Sequence, residues 1–366
     1  MKMKAAIVLS PGADFVIKEV ELDKPKSTEV LVKMVGVGVC RTDSVARHQG
    51  IPTPLPAVFG HEGAGIVQEV GSAVRDLKVG DRVLISFYSC GHCDRCRSGR
   101  PTMCHDYERV NLFGGTYVDG TTRITYEGKP VSSFFGQSTF AEYCVTDSEN
   151  CVVVEDDSLD IAIMGPLGCG LQTGAGVVIN KLRPKVGDSF VVFGCGSVGL
   201  AALIMAKNAG CSEIIGVDLF ESRLELAKEL GATHVINGKA GDTVAEVKKI
   251  TGGGADCSMD TTAIPPIIRQ AMICLKPMGS CAVVGSTGPQ DLTFKPQSDL
   301  MDPNINLYGI IEGESIPKVF IPRLIKLFKE GRFPFDRLVT EYKFEDINKA
   351  LEDSDKGITI KPIIRF

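Results

Sequence analysis

The sequence predicts an α/β protein of two domains, one β-rich and one built on a doubly wound parallel sheet. Three observations carry that prediction. The chain has 366 residues, more than a single hydrophobic core usually serves. Up to about residue 155 it shows short Val- and Ile-rich runs punctuated by Gly and Pro, the pattern of strands. From about residue 165 strand-like and helix-like runs alternate, which calls for a parallel sheet with helices on both faces.

Residues 4–9 read as the first strand. Lysines and a short apolar stretch open the chain, but Pro11, Gly12 and Asp14 follow at once without a cleavage-like site, so a secretory leader is not expected. Residues 29–39, 65–70 and 82–86 read as further strands, and 90–128 as a long loop with a metal clip. In the second half, residues 189–193 are an apolar strand, 197–209 a helix, 213–218 a strand, 223–230 a helix and 233–236 a strand. Two more strands are expected at 257–260 and 280–284. The tail turns helical from Ile316, with Phe320, Leu324, Leu327 and Phe328 on one face, and closes in a strand over 358–366.

Composition narrows the function. A net charge of −5 argues against nucleic acid as a partner. No apolar run approaches the ~20 residues that span a bilayer, so no membrane partner is expected and the protein reads as cytoplasmic. Thirteen cysteines without an export signal imply thiols kept reduced or held by metal. Cys211, Cys257, Cys274 and Cys281 lie among small or apolar neighbours and read as small buried hydrophobes.

Cys90, Cys93, Cys96 and Cys104 fall within fifteen residues. Four thiolates at such spacing close a tetrahedral shell around one zinc ion and leave no open position, so this site is expected to be structural. A disulfide reading would need an oxidising compartment.

Gly194, Gly196 and Gly199 form G-x-G-x-x-G after an apolar strand and at the start of a helix, and Asp218 ends the next strand. In this context Gly194 permits a tight turn, Gly196 lets the backbone approach a pyrophosphate, and Gly199 allows close helix packing. The free N–H groups at the helix start, including Ser197 and Val198, would face the phosphates. Asp218 would accept ribose hydroxyls and repel a 2′-phosphate, which favours NAD over NADP. Arg223 would add a ribose or phosphate contact, or else is a solvated helix residue.

Three more residues invite attention: Cys40, His61 in Gly60-His61-Glu62-Gly63, and Cys169 in Leu167-Gly168-Cys169-Gly170. Their separations are too long for sequence rules to assemble them. Together with Cys40-Arg41-Thr42-Asp43, the cysteine clip and the glycine triplet, they stand in the order found in zinc-dependent medium-chain alcohol dehydrogenases, which the whole chain resembles. Within that family it is most similar to bacterial aryl-alcohol (benzyl alcohol) dehydrogenases, through Ser133-Phe134-Phe135-Gly136-Gln137-Ser138 and the segments 320–324 and 333–336.

The resemblance implies a GroES-like catalytic domain over residues 1–165 and 312–366, and a Rossmann coenzyme domain over 166–311. It implies two zinc ions per chain, NAD, and a small alcohol or aldehyde as substrate. It also implies a homo-oligomer, with a tetramer favoured over a dimer. Cys40, His61 and Cys169 would hold a catalytic zinc and leave a fourth position open. Asp43 would orient His61, and Glu62 would sit beside the metal. Arg41 and Lys361 would meet the pyrophosphate, and Thr173 the nicotinamide. Thr42 would be the first hydroxyl of a proton relay. The relay often ends on a histidine where this chain has Val45, and His48, one helical step on, is the candidate substitute. Phe87, Phe134 and Phe135 would wall the substrate pocket, or else belong to ordinary core.

Rival readings are geraniol-type terpenoid alcohols, glutathione-dependent formaldehyde oxidation, and an NAD-binding protein without activity. The formaldehyde subfamily carries an arginine four residues after the last clip cysteine; here Glu108 stands there, with Arg109 beside it.

Overall fold

In a computed structural model that describes residues 1–286 and 288–366, the chain divides into two compact units. The first comprises Met1–Gly170, Ile316–Ile325 and Asp336–Phe366, and the second Leu171–Ser315 and Lys326–Phe335. Three stretches depart from the sequence expectation, and one of them, 312–315, lies in the second unit, where Glu312 accepts from Gln172 and Thr173. Residues 166–170 stay with the first unit, because Ser86 Oγ donates to Gly168 O at 2.6 Å and the Gly170 N–H donates to Glu62 at 3.1 Å. Residues 326–335 join the second, because Asn208 Nδ2 donates to Arg332 O at 2.7 Å and Arg332 Nε donates to Asn208 Oδ1 at 3.0 Å.

Among the described residues the first unit holds a five-stranded and a seven-stranded sheet. In the larger sheet the strand Glu29–Gly38 pairs antiparallel with Gly63–Val70, Tyr143–Asp147 and Lys361–Arg365. This central strand reads as a nearly continuous apolar run because both its faces are covered. Its core includes Phe59, Phe134 and Phe140, all fully buried. The expected long loop over 90–128 is more ordered than the sequence suggested. It contains the short helix Asp94–Arg97, a helical turn at Arg109–Phe113 and the strand Ile124–Tyr126.

The second unit carries a parallel sheet, six-stranded among the described residues, in the order 234–237, 213–218, 189–193, 255–260, 275–283, 306–309. Strand order reverses beside Ser189–Phe193, and ligands of open α/β sheets bind at the carboxyl end of such a switch point. The glycine triplet begins at that end. No helix of the described residues is long and apolar enough to cross a membrane.

Candidate active site

The strand Glu29–Gly38 delivers the chain to Cys40, which caps the helix Arg41–Arg47 in extended geometry, with φ −113° and ψ 149°. Asp43, three residues on, turns back to accept the Cys40 N–H at 3.0 Å through Oδ2. Its other oxygen accepts the Gly60 N–H at 3.0 Å and lies 2.9 Å from His61 Nδ1. One buried carboxylate therefore ties a helix start to the turn that carries His61. Gly60 makes that turn at φ +89°, and a Cβ there would lie 2.6 Å from the Phe140 nitrogen.

Cys40, His61, Glu62 and Cys169 each offer a ligand atom, and these atoms all lie within 4.8 Å of one another. His61 is fully buried, yet its Nε2 has no hydrogen-bond partner. A buried imidazole nitrogen left open, opposite an Nδ1 fixed by a carboxylate, is the arrangement of a metal-ligating histidine. Two sulfurs and an imidazole suit zinc. The Cys40 thiol is held well below its usual range by hydrogen bonding with Cys169 and by the neighbouring His61, against the opposing effect of burial. Burial pushes the His61 imidazole down, but Asp43 and Cys40 outweigh it and the net direction is up.

Glu62 is fully buried, and burial pushes its carboxyl up while Lys361 opposes that. Lys361 Nζ donates to Glu62 at 3.0 and 2.9 Å and to Val39 O at 3.0 Å. Here the sequence reading needs correction. Lys361, expected against a pyrophosphate, is 2% exposed and its three ammonium protons are matched by three oxygens inside the first unit. Its true partner lies 299 residues away, beyond any local signal.

Thr42 Oγ1 lies 3.5 Å from Cys40 Sγ, whereas Arg41 is exposed on the first turn of the same helix. His48 does not continue that helix. It is the exposed C-cap, with Nδ1 2.8 Å from Ser44 O, so it stands apart from the cluster. Phe135 stacks on His61 with centroids 4.4 Å apart and Phe134 meets it edge-on at 5.5 Å. Phe87 packs instead against Tyr107 at 5.6 Å. All three rings are buried.

The four clip cysteines also converge, with all sulfurs within 4.8 Å of one another, and among the described residues no cysteine is in a disulfide. Backbone N–H groups of Cys93, Cys96 and Cys90 point at Cys90, Cys93 and Cys104 Sγ at 3.3 to 3.4 Å. The Cys96 and His105 amides pull the Cys93 thiol down to about 6. These donors favour the thiolate, the form that binds metal, at Cys93, whereas burial pushes the Cys96 and Cys104 thiols up.

In the second unit Gly194 has φ +97°, and Gly196 caps the helix Ser197–Ala209. A Cβ on Gly199 would lie 1.9 Å from Gly194 O, but one on Gly196 would meet nothing within 4 Å. The third glycine is thus demanded by packing, and the second leaves open space at the helix start beside Ser197 and Val198. Asp218 accepts the Cys195 N–H at 2.7 Å and the Leu219 and Phe220 N–H groups at 2.7 and 3.1 Å. Arg223 lies 3.8 Å from Asp218 and over the Phe220 ring, with its Nε buried and unpartnered.

Two matches decide the family. Residues 26–156 match the alcohol dehydrogenase GroES-like domain, and residues 197–330 the zinc-binding dehydrogenase domain. The chain belongs to the zinc-dependent alcohol dehydrogenases. It is 45% identical over 365 residues to a geraniol dehydrogenase of Castellaniella defragrans, covering 99% of this chain and 97% of that one. It is 36% identical to an alcohol dehydrogenase class-P of Arabidopsis thaliana, covering 100% and 97%. The crystal structure of benzyl alcohol dehydrogenase from Acinetobacter calcoaceticus superposes with a TM-score of 0.96 at 44% identity, covering 100% and 99%. This alcohol dehydrogenase therefore combines a GroES-like domain with a Rossmann domain and uses zinc and NAD. Sequence reasoning overlooked Glu312, a buried acid that accepts from Gln172 at 3.3 Å and from Thr173 at 3.4 Å in the dehydrogenase's second unit. Only its apolar flank, Ile310 and Ile311, hinted at burial.

Proposed function

We propose that the enzyme oxidises primary aryl or allylic alcohols of the benzyl alcohol type to aldehydes, reducing NAD to NADH. The observation that supports this most is the aromatic lining of the metal cluster, Phe135 stacked on His61 and Phe134 edge-on to it. Such walls favour a flat unsaturated substrate over ethanol. Geraniol is the second reading, favoured by the 45% identity to a geraniol dehydrogenase. The two substrates share a primary alcohol next to an unsaturated carbon.

Cys40, His61 and Cys169 would hold the catalytic zinc, and Cys90, Cys93, Cys96 and Cys104 the structural one. Lewis-acid activation of the hydroxyl is what zinc supplies when bound, and NAD supplies the hydride acceptor. The chain does the rest. Asp43 keeps His61 Nδ1 protonated, so that Nε2 is the ligating nitrogen. The Thr42 hydroxyl, beside Cys40, accepts the substrate proton as it passes its own on toward solvent, and His48, the exposed C-cap of the same helix, apart from the cluster, is the proposed final acceptor. Gly194, Gly196, Ser197, Val198 and Gly199 receive the pyrophosphate with Arg41, Asp218 and Arg223 hold the ribose, and Thr173 meets the nicotinamide. The working enzyme is a cytoplasmic homotetramer.

A panel of benzyl alcohol, geraniol, ethanol and S-(hydroxymethyl)glutathione, each with NAD and NADP, tests the reading by absorbance. Benzyl alcohol or geraniol should exceed ethanol at least ~100-fold in kcat/KM, with NAD preferred. A higher value for ethanol or for the glutathione adduct would overturn it. Light scattering of the purified protein reads the oligomer.

A further inference from the structure

We propose that Lys361 is a positioning residue that keeps Glu62 off the catalytic metal and so holds the fourth coordination position open. Four donors, not three, gather in the cluster: Cys40, His61, Glu62 and Cys169, all within 4.8 Å of one another. Two thiolates, an imidazole and a carboxylate are enough to close a tetrahedron, and a closed shell is the structural kind of zinc site. A catalytic site needs one of the four withheld. Glu62 is the one held elsewhere. Both its oxygens are engaged by Lys361 Nζ at 2.9 and 3.0 Å, and Oε1 also takes the Gly170 N–H at 3.1 Å. The lysine is itself anchored by Val39 O at 3.0 Å. Gly38 makes room for this posture, since a Cβ there would lie 2.0 Å from Glu62 Oε2.

The pair is buried on both sides, at 2% and 0% side-chain exposure. Removing one partner of such a pair leaves an uncompensated charge with no water to turn to. For Glu62 the adjacent alternative is the metal. Lys361 would then decide whether the cluster is a four-ligand or a three-ligand site.

The inference rests on the three-ligand reading of the site, and the test separates the two. The probe is the protein with Co2+ in the Cys40 site, whose visible spectrum reports exogenous ligands such as imidazole. Wild type and Lys361→Arg should show the spectral change on imidazole addition. Lys361→Met should lose it, with kcat/KM down by about 10–100-fold. Lys361→Met combined with Glu62→Gln should regain it. An undiminished response in Lys361→Met would overturn the inference and leave the three-ligand reading standing. A wild-type protein that binds metal at the clip alone would overturn both. Should Lys361→Met not fold, a crystal structure of the zinc-loaded wild type decides: Glu62 stays on Lys361, or an oxygen at about 2.0–2.2 Å from zinc refutes the proposal.

Discussion

Asp43 is where the separate parts of the metal cluster are joined, and Asp43→Asn is the smallest change that unjoins them. The carboxylate accepts three donors, the Cys40 and Gly60 N–H groups at 3.0 Å each and His61 Nδ1 at 2.9 Å, and none of it reaches solvent. An amide has one oxygen to offer. In its better orientation that oxygen keeps Gly60 and His61, while the NH2 faces the Cys40 N–H. Two buried donors are then unmatched, at about 1–3 kcal/mol each, or roughly 2–6 kcal/mol in all before relaxation. The cluster also loses the charge that favours its cationic occupant, for which about a 10–100-fold weaker metal affinity is expected. Urea unfolding with and without chelator measures the first quantity, and competition with a chromophoric zinc chelator the second. If Asp43→Asn unfolds within ~0.5 kcal/mol of wild type and keeps its second zinc equally well, the carboxylate is not the joint described here.

Three further outcomes follow from the same geometry. Gly199→Ala forces a Cβ to 1.9 Å from Gly194 O and should cost roughly 1–3 kcal/mol of stability, whereas Gly196→Ala meets nothing within 4 Å and should weaken NADH binding at least ~10-fold with stability unchanged; denaturation and NADH fluorescence titration separate them. Cys104→Ser should release one zinc per chain and open the chain at the exposed Arg95 and Arg97 to rapid trypsin cleavage, read by mass spectrometry, because the four sulfurs hold that segment together. His48→Gln should lower the rate of alcohol oxidation; an unchanged rate would remove His48 from the proton path.

What the sequence made legible was local. The clip needs only fifteen residues, and the glycine triplet is read from a strand before it and a helix after it. Alternation of strand and helix was enough for the parallel sheet over 189–283, because each element there announces itself by its own period. What the residues alone could not show depends on distant pairings. Glu62 meets Gly170 across 108 residues and Lys361 across 299. Resemblance supplied Cys40, His61 and Cys169 as a set, but the same resemblance misplaced Lys361, since a basic residue near a cofactor and one paired with a buried acid look alike in one dimension. The tail failed for a related reason. Its amphipathic pattern spoke for a helix but not for the unit it packs on, which Asn208 decides by bonding to Arg332. Phe134 and Phe135 could be read as pocket or as core; both are buried and both touch His61, a contact no local pattern announces.

The two candidate metal clusters are built in opposite ways. In the clip, each sulfur sits a few residues from the next, and backbone amides donate to the Cys90, Cys93 and Cys104 sulfurs, with Asp94 and His105 also within reach of Cys93. Four sulfurs are enough to close a tetrahedral shell, the structural kind of zinc site. Around Cys40 the donors come from three distant stretches, His61 and Glu62 side by side in one of them, and are tethered by further residues: His61 by Asp43, Glu62 by Lys361, Cys169 by the chain that Ser86 and Glu62 hold at Gly168 and Gly170. Such tethers are wasted on a site that only needs filling. They matter where one of four converging donors must be kept from the metal, because a vacant position next to a buried carboxylate lasts only while something holds that carboxylate elsewhere.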